Sequence, residues 1–472
     1  MSNADVGLIG LGTMGAMLSL NIAENGFKIA VYNRTTQVVR DFFDTAGELA
    51  PNILPCETIE ELVAKIKPPH AIILMVPAGD PVDQQISELS KFLNRSDLIV
   101  DAGNANFRDT NRRSDAARSG GIPIMGIGVS GGEVGARYGP SIMAGGTAES
   151  WNRMQPILSA IAAKYEGIPC ATHMGPDGAG HFVKAVHNGI EYADMQIIAE
   201  AYGILRDGMS FDAAKCGEVL EDWNTRLLKS YLVEISGMVA SAFDPETGCA
   251  MLDIIEDRAG QKGTGRWTAI EAQHLGAPIT VIEAAVAARN MSALKHMRVD
   301  GEKHFAGAPQ AIGKDVITIA DLEGALVAGK IICYAQGFDL LNAARREFGW
   351  SLPMAAIAEV WREGCIIRSA MLDDMASALR SAPDKNLMFA PYFSELLKSH
   401  VPALRRIASR ALDAGHPVPA LAAALSYFDS MRTARSTANM IQGQRDFFGA
   451  HGFERVDRDG TGFHGPWGSH CQ

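Results

Sequence analysis

The sequence has few cysteines and no motif that pairs them. Its 7 cysteines are scattered over 472 residues without a CxxC pair, and an odd number argues against a complete disulfide framework. The 12 histidines show neither an HExxH motif nor a His/Cys spacing suited to zinc. We therefore expect reduced thiols and no metal site.

The chain also lacks long hydrophobic runs and an excess of positive charge. Its apolar stretches are too short or too interrupted to span a bilayer, and no basic segment precedes the first of them. The 54 acidic residues outnumber the 43 lysines and arginines, and the net charge of -11 disfavours nucleic acid and anionic membranes. We expect a cytoplasmic protein of two or three domains with no membrane or nucleic-acid partner, in which an anionic substrate meets locally placed cations.

The N-terminal segment carries a dinucleotide-binding fingerprint. VGLIGLGTMGAMLSLNIAENG combines an apolar strand, a GxGxxG turn and a helical pattern that closes at Gly26. The glycines permit a tight turn and the close approach of a pyrophosphate, whose charge then faces the amide groups at the helix N-terminus. The predicted cofactor contacts are Gly10, Leu11, Gly12, Thr13, Met14 and Gly15, with Val76 and Asn104 from later strand ends.

The residues that end the second strand, KIAVYN, favour NADP over NAD. An Asp or Glu at this point would hold the ribose 2'-hydroxyl of NAD, whereas this chain has Asn33, Arg34 and Thr35. Arg34 can form charge-assisted hydrogen bonds to a 2'-phosphate, helped by its two neighbours. The alternative is a solvated arginine that follows a strand.

Three further strand-like runs predict a mainly parallel, doubly wound sheet. They are AIILMV (71–76), LIVDAGN (98–104) and GIPIMGIGVSGG (121–132), separated by polar helical segments. Ligands of such sheets bind at the carboxyl ends of the strands, where Asn104 and the turn Ser130, Gly131, Gly132 are found. We expect these residues to face the ligands, but an Asn after a strand and a run of glycines are also typical of ordinary turns.

The stretch GPDGAGHFVKAVHNGIEY (175–192) predicts a helix with an apolar face and a chemical face. Offsets of three, four and seven residues bring one set of polar side chains to the same side: Lys184, His187, Asn188 and Glu191, with Tyr192 at the edge. A separate apolar stripe begins at Val183. An amine and a carboxylate about two turns apart can remove a proton from one carbon of a substrate and deliver one to another. The alternative is a solvated face with a Lys/Glu pair.

Residues from 181 to about 435 show helical periodicities with breaks at Gly and Pro, which predicts an all-helical second domain. Two basic islands interrupt it. DRAGQKGTGRW places Lys262 and Thr264 on a Gly-rich loop, and VIEAAVAARNMS carries Arg289. Converging amides, a lysine and an arginine suit a phosphate group, and the alternative is a solvated loop.

The last segment, QGQRDFFGAHGFERVDRDGTGFHGPWG, has glycines, aromatics and charges that follow no helical period. A tail this rich in Phe and Trp would expose apolar area if it hung free, so we expect it to dock. A long docking tail often reaches a neighbouring subunit. Arg445 and His451 are its candidate polar contacts.

Together these segments resemble the decarboxylating 6-phosphogluconate dehydrogenases. GLGTMG, NRT, DAGN, VSGGEVGARYGPSIM, KAVHNGIEY, QKGTGRW, VAARNMS and QRDFFGAH are similar to that family's motifs in their order and spacing. The resemblance implies an α/β Rossmann-type doubly wound sheet that binds NADP (1–177) and a large all-α domain for substrate binding and dimerisation (178–434). It also implies a C-terminal tail that reaches the partner subunit of a homodimer (435–472).

The resemblance further implies a role for each residue of the site. Lys184 would be the base and Glu191 the acid. One group would hold the sugar acid: Asn104, Ser130, Gly131, Gly132, His187 and Asn188, with His451 of the partner subunit closing the site. A second group would meet the phosphate: Tyr192, Lys262, Thr264, Arg289 and, from the partner subunit, Arg445.

The implied reaction converts 6-phosphogluconate into ribulose 5-phosphate and CO2 and reduces NADP. Lys184 must be neutral to accept the proton of the 3-hydroxyl, although model lysine titrates near ~10.4, so burial and nearby cations must lower its pKa. Glu191 would then protonate the first carbon of the enediol. Two positions depart from the family: Pro77 stands where it usually has Lys, which removes a cation from the cofactor side, and Val134 where it usually has Glu.

Two other functions fit parts of the sequence. Another NAD(P)-dependent β-hydroxyacid dehydrogenase would be similar around GLGTMG, SGG and the Lys184 and Asn188 pair, but it would not need Lys262, Arg289 and Arg445. A non-catalytic NADP-binding sensor would leave the chemical face without a use, and the complete set of ionisable residues there argues against it.

Overall fold

The computed structural model describes residues 3–261, 263–305, 307 and 309–467. The chain divides into two compact units, residues 1–424 and residues 425–472. The first contains one large sheet and most of the helices, as the sequence predicts. The boundaries expected between a nucleotide domain (1–177), a helical domain (178–434) and a tail (435–472) remain a prediction.

Short strands build the sheet and one small hairpin. They are β1 (Val6–Ile9), β2 (Ile29–Tyr32), β3 (Ile53–Cys56), β4 (Ala71–Leu74), β5 (Leu98–Asp101), β6 (Ile124–Val129), β7 (Ile142–Gly145), β8 (Lys164–Tyr165), β9 (Ile168–Pro169) and β10 (Ala171–Gly175).

Helices connect the strands and continue after them. They are α1 (Thr13–Glu24), α2 (Thr36–Thr45), α3 (Ile59–Lys65), α4 (Asp80–Leu89), α5 (Phe107–Arg118), α6 (Gly132–Tyr138), α7 (Ala148–Ile161), α8 (Ala179–Gly203), α9 (Ala213–Trp223), α10 (Tyr231–Ala240), α11 (Met251–Ile254), α12 (Thr264–His274), α13 (Thr280–Ser292), α14 (Lys295–Phe305), α15 (Ile319–Phe348), α16 (Met354–Val360), α17 (Met371–Ser381), α18 (Pro391–Asp413), α19 (Pro419–Met431) and α20 (Ala438–Gly449).

The main sheet has 8 strands in the order β10-β7-β6-β5-β4-β1-β2-β3. Neighbouring strands are parallel except for the antiparallel pair β6 and β7. Alternate residues of one strand enter cores on opposite sheet faces: Leu8 packs in one apolar cluster and Ile9 in another. Because helices cover both faces, the strands are continuous apolar runs and the predicted doubly wound sheet is confirmed.

The five strands predicted from the sequence are present, but β3, β7 and β10 were not predicted. β3 and β10 are the two edge strands, and they carry Pro55 and the polar pair Thr172 and His173, which weaken an apolar strand pattern. β7 is only 4 residues long and ends in glycine. Strands of this kind form because a neighbouring strand offers hydrogen bonds, which a local pattern does not reveal.

Two long helices, α8 and α15, pack against each other in the first unit. The expectation that every apolar stretch is too short or too interrupted to span a bilayer is wrong for the 30-residue α15, which is long and apolar enough to do so. However, 94% of its most apolar window is buried inside the protein, as in the core helix of a globular protein. The helical character predicted for residues 181 to 435 is confirmed, with breaks at Gly248 and Gly276, both of which adopt positive φ.

The second unit differs from the sequence expectation in one respect. The segment that begins at Gln442 was expected to follow no helical period, but residues 438–449 form α20. Glycines at 443 and 449 obscure the pattern, since glycine is a poor helix former. After α20 the chain turns back on itself, and Phe453 and Phe463 exchange two backbone hydrogen bonds of 2.9 and 3.0 Å.

Candidate active site

Helix α8 lies close to the sheet because β6 has glycines where other strands have side chains. A Cβ atom on Gly128 would lie 2.4 Å from Cβ of Lys184, and one on Gly126 would lie 2.7 Å from Nδ1 of His181. The aliphatic stem of Lys184 therefore rests against bare backbone near the carboxyl end of β6. Sequence reasoning did not single out these glycines, although two glycines at alternate positions of a strand indicate the close approach of another element.

Lys184 is the centre of a buried hydrogen-bond cluster. Its ammonium nitrogen lies 3.0 Å from Oγ of Ser130, 2.8 Å from Oδ1 of Asn188 and 3.4 Å from Nδ1 of His187. The imidazole of His187 lies between the other members, with its Nε2 3.2 Å from Oγ of Ser130 and its Nδ1 3.0 Å from Oδ1 of Asn188. Four residues that the sequence predicted to act together are thus in contact.

Glu191 lies one turn further along the same face of α8. Its Oε2 is 4.0 Å from Nδ1 of His187, and 21% of its side chain is exposed. Lys184 is 6% exposed, while the apolar stripe that begins at Val183 is fully buried. The polar residues of α8 thus contact one another on one side of the helix, and the chemical role of that face remains a prediction.

Burial shifts both Lys184 and Glu191 toward their neutral forms. Desolvation lowers the pKa of Lys184, against the charge of Glu191, which raises it. Desolvation also raises the pKa of Glu191, against Lys184 and Arg289, which lower it. The pKa of His187 is well below its usual value, first because it is buried and second because Lys184 is near. The arrangement therefore favours an amine able to accept a proton and a carboxyl able to donate one.

The turn after β6 is open toward the cluster. Gly131 adopts a φ of 103° and Gly132 a φ of 62°, both in the region that favours glycine. A Cβ on Gly131 would lie 2.6 Å from the carbonyl oxygen of Gly364, whereas a Cβ on Gly132 would meet nothing within 4 Å. Gly131 is therefore packed against Gly364, and only the backbone of Gly132 borders free space.

A second group of predicted residues meets at Tyr192. The guanidinium of Arg289 stacks over the Tyr192 ring at 3.6 Å. Gly265 packs against the same ring, because a Cβ there would lie 2.6 Å from it. The start of α12 and the last turn of α13 therefore converge on the side of α8 that carries the chemical face.

Thr264 was expected on a loop, but it is the first residue of α12. Gly263, with a φ of 94°, caps this helix. The predicted suitability for phosphate is retained, since the first turn of a helix has unpaired N–H groups and a positive dipole end. Lys262, predicted to join this site, lies outside the described residues.

The GxGxxG turn has the geometry that the fingerprint predicts. Gly10 adopts a φ of 104°, and a Cβ on Gly15 would lie 1.9 Å from the carbonyl oxygen of Gly10, so the helix and strand pack as closely as glycine allows. No side chain caps the N-terminus of α1, whose first turn has no acidic residue. Thr13 and Met14 start that helix, and its amide groups are free to meet a pyrophosphate.

A cleft of about 360 Å³ lies beside this turn, and its walls include Gly10, Gly12, Asn33, Arg34, Thr35, Val76 and Pro77. Oδ1 of Asn33 accepts a hydrogen bond of 3.1 Å from the N–H of Leu11, which ties the glycine turn to the end of β2. Arg34 is exposed at the rim. The structure therefore places six of the predicted cofactor residues around one cleft at the carboxyl ends of the strands: Gly10, Gly12, Asn33, Arg34, Thr35 and Val76.

Asn104 has a left-handed backbone, with a φ of 53°, three residues after β5. Its Oδ1 is buried and has no hydrogen-bond partner among the residues that the structure describes. A buried acceptor without a partner is costly, which is consistent with a ligand that completes it. Arg445 and His451 belong to the second unit, where both are exposed.

Comparison with known proteins decides the family. Residues 5–175 match the family model described as the NAD binding domain of 6-phosphogluconate dehydrogenase, and residues 180–467 match that of the 6-phosphogluconate dehydrogenase C-terminal domain. A decarboxylating 6-phosphogluconate dehydrogenase of Chlamydia pneumoniae is 45% identical, with 98% of this chain and 97% of that protein covered. The chain belongs to the decarboxylating 6-phosphogluconate dehydrogenase family.

A solved structure supports this assignment along the whole chain. The 6-phosphogluconate dehydrogenase of Plasmodium falciparum, studied in its apo form and with NADP+ and 6-phosphogluconate, superposes with a TM-score of 0.93. It is 39% identical, and 98% of this chain and 100% of that one are covered. The chain is therefore an oxidoreductase that catalyses oxidative decarboxylation with NAD or NADP, as the resemblance of its motifs implies.

One side of the Lys184 cluster is formed by residues that were not predicted from the sequence. Trp361 packs edge-on against His187, with ring centroids 5.8 Å apart, and its indole N–H points to the sulfur of Met143. Cys365, which follows one turn later, is near enough to influence the pKa of Lys184. Both lie about 160 residues beyond the end of α8 in sequence, and no local pattern in WREGCIIRS indicates that they reach it.

Proposed function

We propose that Lys184 is the base and Glu191 the acid with which this member of the family oxidises and decarboxylates 6-phosphogluconate. The buried cluster around Lys184 is the observation that carries the proposal, because it holds the amine in a desolvated setting that favours its neutral form. Only a neutral amine can accept the proton of the 3-hydroxyl.

The steps follow from the geometry of the cluster. The bound cofactor supplies the hydride acceptor for the third carbon of the sugar acid. Lys184 takes the hydroxyl proton, and the ammonium formed donates to the new ketone oxygen, which stabilises the charge that develops as CO2 leaves. Glu191, whose pKa is raised by burial, delivers a proton to the first carbon of the enediol while Lys184 takes the enediol proton back from the ketone-forming oxygen, which yields ribulose 5-phosphate. Return of that proton from Lys184 to Glu191 restores both groups.

Other residues hold the substrate on either side of these two groups. Ser130, Gly131, Gly132, Asn104, His187 and Asn188 bind the sugar acid. Tyr192, Thr264 and Arg289 bind the phosphate, at the first turn of α12 and beside the stacked guanidinium, and Lys262 is the fourth residue that we assign to it. Such remote contacts supply binding energy that orients the reacting carbon near Lys184.

NADP is the cofactor that the cleft favours. Overall similarity does not decide this point, since an NADP-dependent and an NAD-dependent enzyme of Bacillus subtilis are 44% and 43% identical to the chain. The rim beside β2 offers Arg34 where an NAD site would offer a carboxylate. Exposed Pro77 brings no charge to this rim, so Arg34 carries the preference.

The active unit is a cytoplasmic homodimer in which the tail of one subunit completes the site of the other. The three-part division at residues 177 and 434 belongs to this proposal. Arg445 joins the phosphate site of the partner and His451 closes its sugar site. Their exposure in the single chain supports this role, since neither side chain is buried within its own unit.

One absorbance assay tests the reaction. Purified protein with NADP and 6-phosphogluconate should produce reduced nicotinamide and CO2, with NAD less effective. Reduction with a smaller β-hydroxyacid but not with 6-phosphogluconate would favour another β-hydroxyacid dehydrogenase. Cofactor binding without any turnover would favour a sensor.

Mixed dimers test the shared site. Lys184→Ala subunits lack the base but keep the phosphate contact of the tail. Arg445→Ala subunits keep the base but lack that contact. Each homodimer should therefore be nearly inactive at low substrate concentration. After joint unfolding and refolding, about half the dimers are mixed and each has one intact site of two, which restores about a quarter of wild-type activity. No recovery, with subunit exchange verified separately, would show that Arg445 does not act in trans.

A further inference from the structure

Residues 442–467, here called the tail arm, form a closed structure within the second unit. α20 ends at Gly449, and Ala450 follows in a left-handed conformation with a φ of 48°. The chain then reverses, so that Phe453 and Phe463 pair in antiparallel fashion. Arg445 and His451, the two residues proposed to reach the partner, lie before and after this reversal.

The side chain of Asp446 is the internal anchor of the tail arm. It is 3% exposed, and each carboxylate oxygen accepts two hydrogen bonds. Oδ1 accepts from the N–H of Gly452 at 2.9 Å and from Nδ1 of His464 at 2.7 Å. Oδ2 accepts from the N–H of Gly465 at 2.9 Å and from the indole N–H of Trp467 at 2.8 Å. One carboxylate therefore ties α20 to both strands of the reversal.

A second residue of α20 holds the same point of the loop. Gln442 donates from Nε2 to the carbonyl oxygen of Gly452 at 2.5 Å, and its Oε1 accepts from Nη1 of Arg445 at 3.1 Å. Gly452 is therefore fixed through both its N–H and its carbonyl group, and it follows His451 directly. The relative placement of Arg445 and His451 is thus set inside the tail arm itself.

We propose that Asp446 is a positioning residue for substrate binding, which holds Arg445 and His451 in the geometry that a partner's phosphate and sugar sites require. The inference rests on the proposed function of those two residues in trans. A preformed arm loses little conformational entropy when it docks, so the contacts of Arg445 are available for binding. A loose arm would still carry the same guanidinium but would present it in many orientations.

The test is Asp446→Asn, with Asp457→Asn as its matched control. Asp457 lies in the same arm, is exposed and pairs with Arg455. Asparagine at 446 keeps one acceptor oxygen but cannot satisfy donors on both sides. We expect the KM for 6-phosphogluconate to rise about tenfold, the size of a lost charge-assisted contact. The kcat at saturation, the KM for NADP and the kinetics of Asp457→Asn should stay within about twofold of wild type.

Arg445→Ala separates failure of this inference from failure of the proposed function. If Arg445→Ala leaves the KM for 6-phosphogluconate unchanged, the phosphate contact is wrong. If Arg445→Ala raises it but Asp446→Asn does not, only the positioning role is wrong. In a variant that already carries Arg445→Ala and His451→Ala, the further change Asp446→Asn should raise the KM for 6-phosphogluconate little, because Asp446 acts through those two side chains. A rise in KM as large as in the wild-type background would overturn the inference.

Two milder variants cover the case in which Asp446→Asn does not fold or dimerise. His464→Ala removes one donor from a side chain that is 56% exposed, and Trp467→Phe removes the indole N–H while it keeps an aromatic ring. Each should raise the KM for 6-phosphogluconate by a few-fold with kcat retained, in protein shown to be dimeric by light scattering. Wild-type KM in both variants would overturn the role of Asp446.

Discussion

Lys184, at the centre of the cluster on α8, is 6% exposed, whereas Arg34, at the rim of the nucleotide cleft, is exposed to solvent. Both are cations whose positions the sequence predicted. Burial lowers the pKa of Lys184, which favours its neutral form, whereas an exposed guanidinium presents a fork of N–H donors to solvent. The first setting suits a group that accepts a proton, and the second suits one that binds a phosphate.

The Lys184 cluster and the nucleotide cleft also differ in the residues that surround them. The Lys184 cluster is enclosed by side chains from α8, the turn after β6 and the segment around Trp361. The nucleotide cleft is bordered on one side by the backbone of a glycine turn, and its other walls include Tyr32, Val76 and Gln85. A change in the first region should therefore alter chemistry, and a change in the second should alter cofactor affinity.

Lys184→Met gives the sharpest test of this separation. Loss of the base should lower kcat by about 10²–10⁴-fold while NADP binding, measured by fluorescence titration, stays near the wild-type value. Lys164→Met, at an exposed lysine, serves as control and should retain full activity. A fall in kcat below about tenfold would mean that another group removes the proton.

Glu191→Gln should lower kcat by about a hundredfold and slow deuterium uptake at the first carbon of ribulose 5-phosphate to a similar degree. Exchange at the wild-type rate would show that Glu191 is not the acid. Glutamine preserves size and hydrogen bonding but cannot donate a proton to carbon. His187 contacts Glu191 and stays in place, so affinity for the substrate should change little.

The same variant has a pH signature whose sign follows from burial. In the proposed mechanism the active form of the pair has one proton, with Lys184 neutral and Glu191 protonated. Because the pKa of Lys184 is lowered and that of Glu191 is raised, kcat should fall in acid when the pair gains a second proton and in alkali when it loses its last. In Glu191→Gln only the acid limb should remain. A retained alkaline limb would assign it to another group.

Arg34→Ala should weaken NADP binding by roughly ten- to a hundredfold, the worth of a charge-assisted hydrogen bond to phosphate. NAD, which has no 2'-phosphate, should lose far less, and kcat with saturating NADP should persist. Arg40→Ala is the matched control, since Arg40 is an exposed arginine of α2 that pairs with Glu57. Equal losses for both cofactors would contradict the role of Arg34.

Pro77→Lys should have the smallest effect of these variants, and it should strengthen NADP binding instead of weakening it. It restores the cation that the family usually has at this edge of the cleft, and an exposed charge contact is worth about 0.2–1 kcal/mol, or up to roughly fivefold in NADP affinity. The gain should disappear at about 1 M salt, where the screening length is near 3 Å. Titration of NADP at low and high salt would reveal it, and an unchanged affinity at low salt would place residue 77 away from the cofactor.

Local sequence patterns were sufficient to predict a feature when all of its residues lie in one contiguous segment. The GxGxxG turn needs only a strand, three glycines and a helix, and all of these are contiguous in sequence. The chemical face of α8 needs only helical spacing, so Lys184, His187, Asn188 and Glu191 could be placed on one side from their offsets. The same reasoning failed for Thr264 and for residues 442–449, because glycines weaken a helical pattern that capping and packing then restore.

The sequence by itself was enough to predict five of the 8 strands of the main sheet, the two ligand-binding motifs and the family, because each depends on residues that are neighbours along the chain. Only the tertiary structure decided how deeply Lys184 is buried, that Gly128 lets it lie against β6, and that Trp361 closes the far side of His187. These facts depend on segments far apart in sequence that pack together. The pKa of a buried group depends on such packing, because desolvation depends on all atoms that are close in space and not only on the neighbours in sequence.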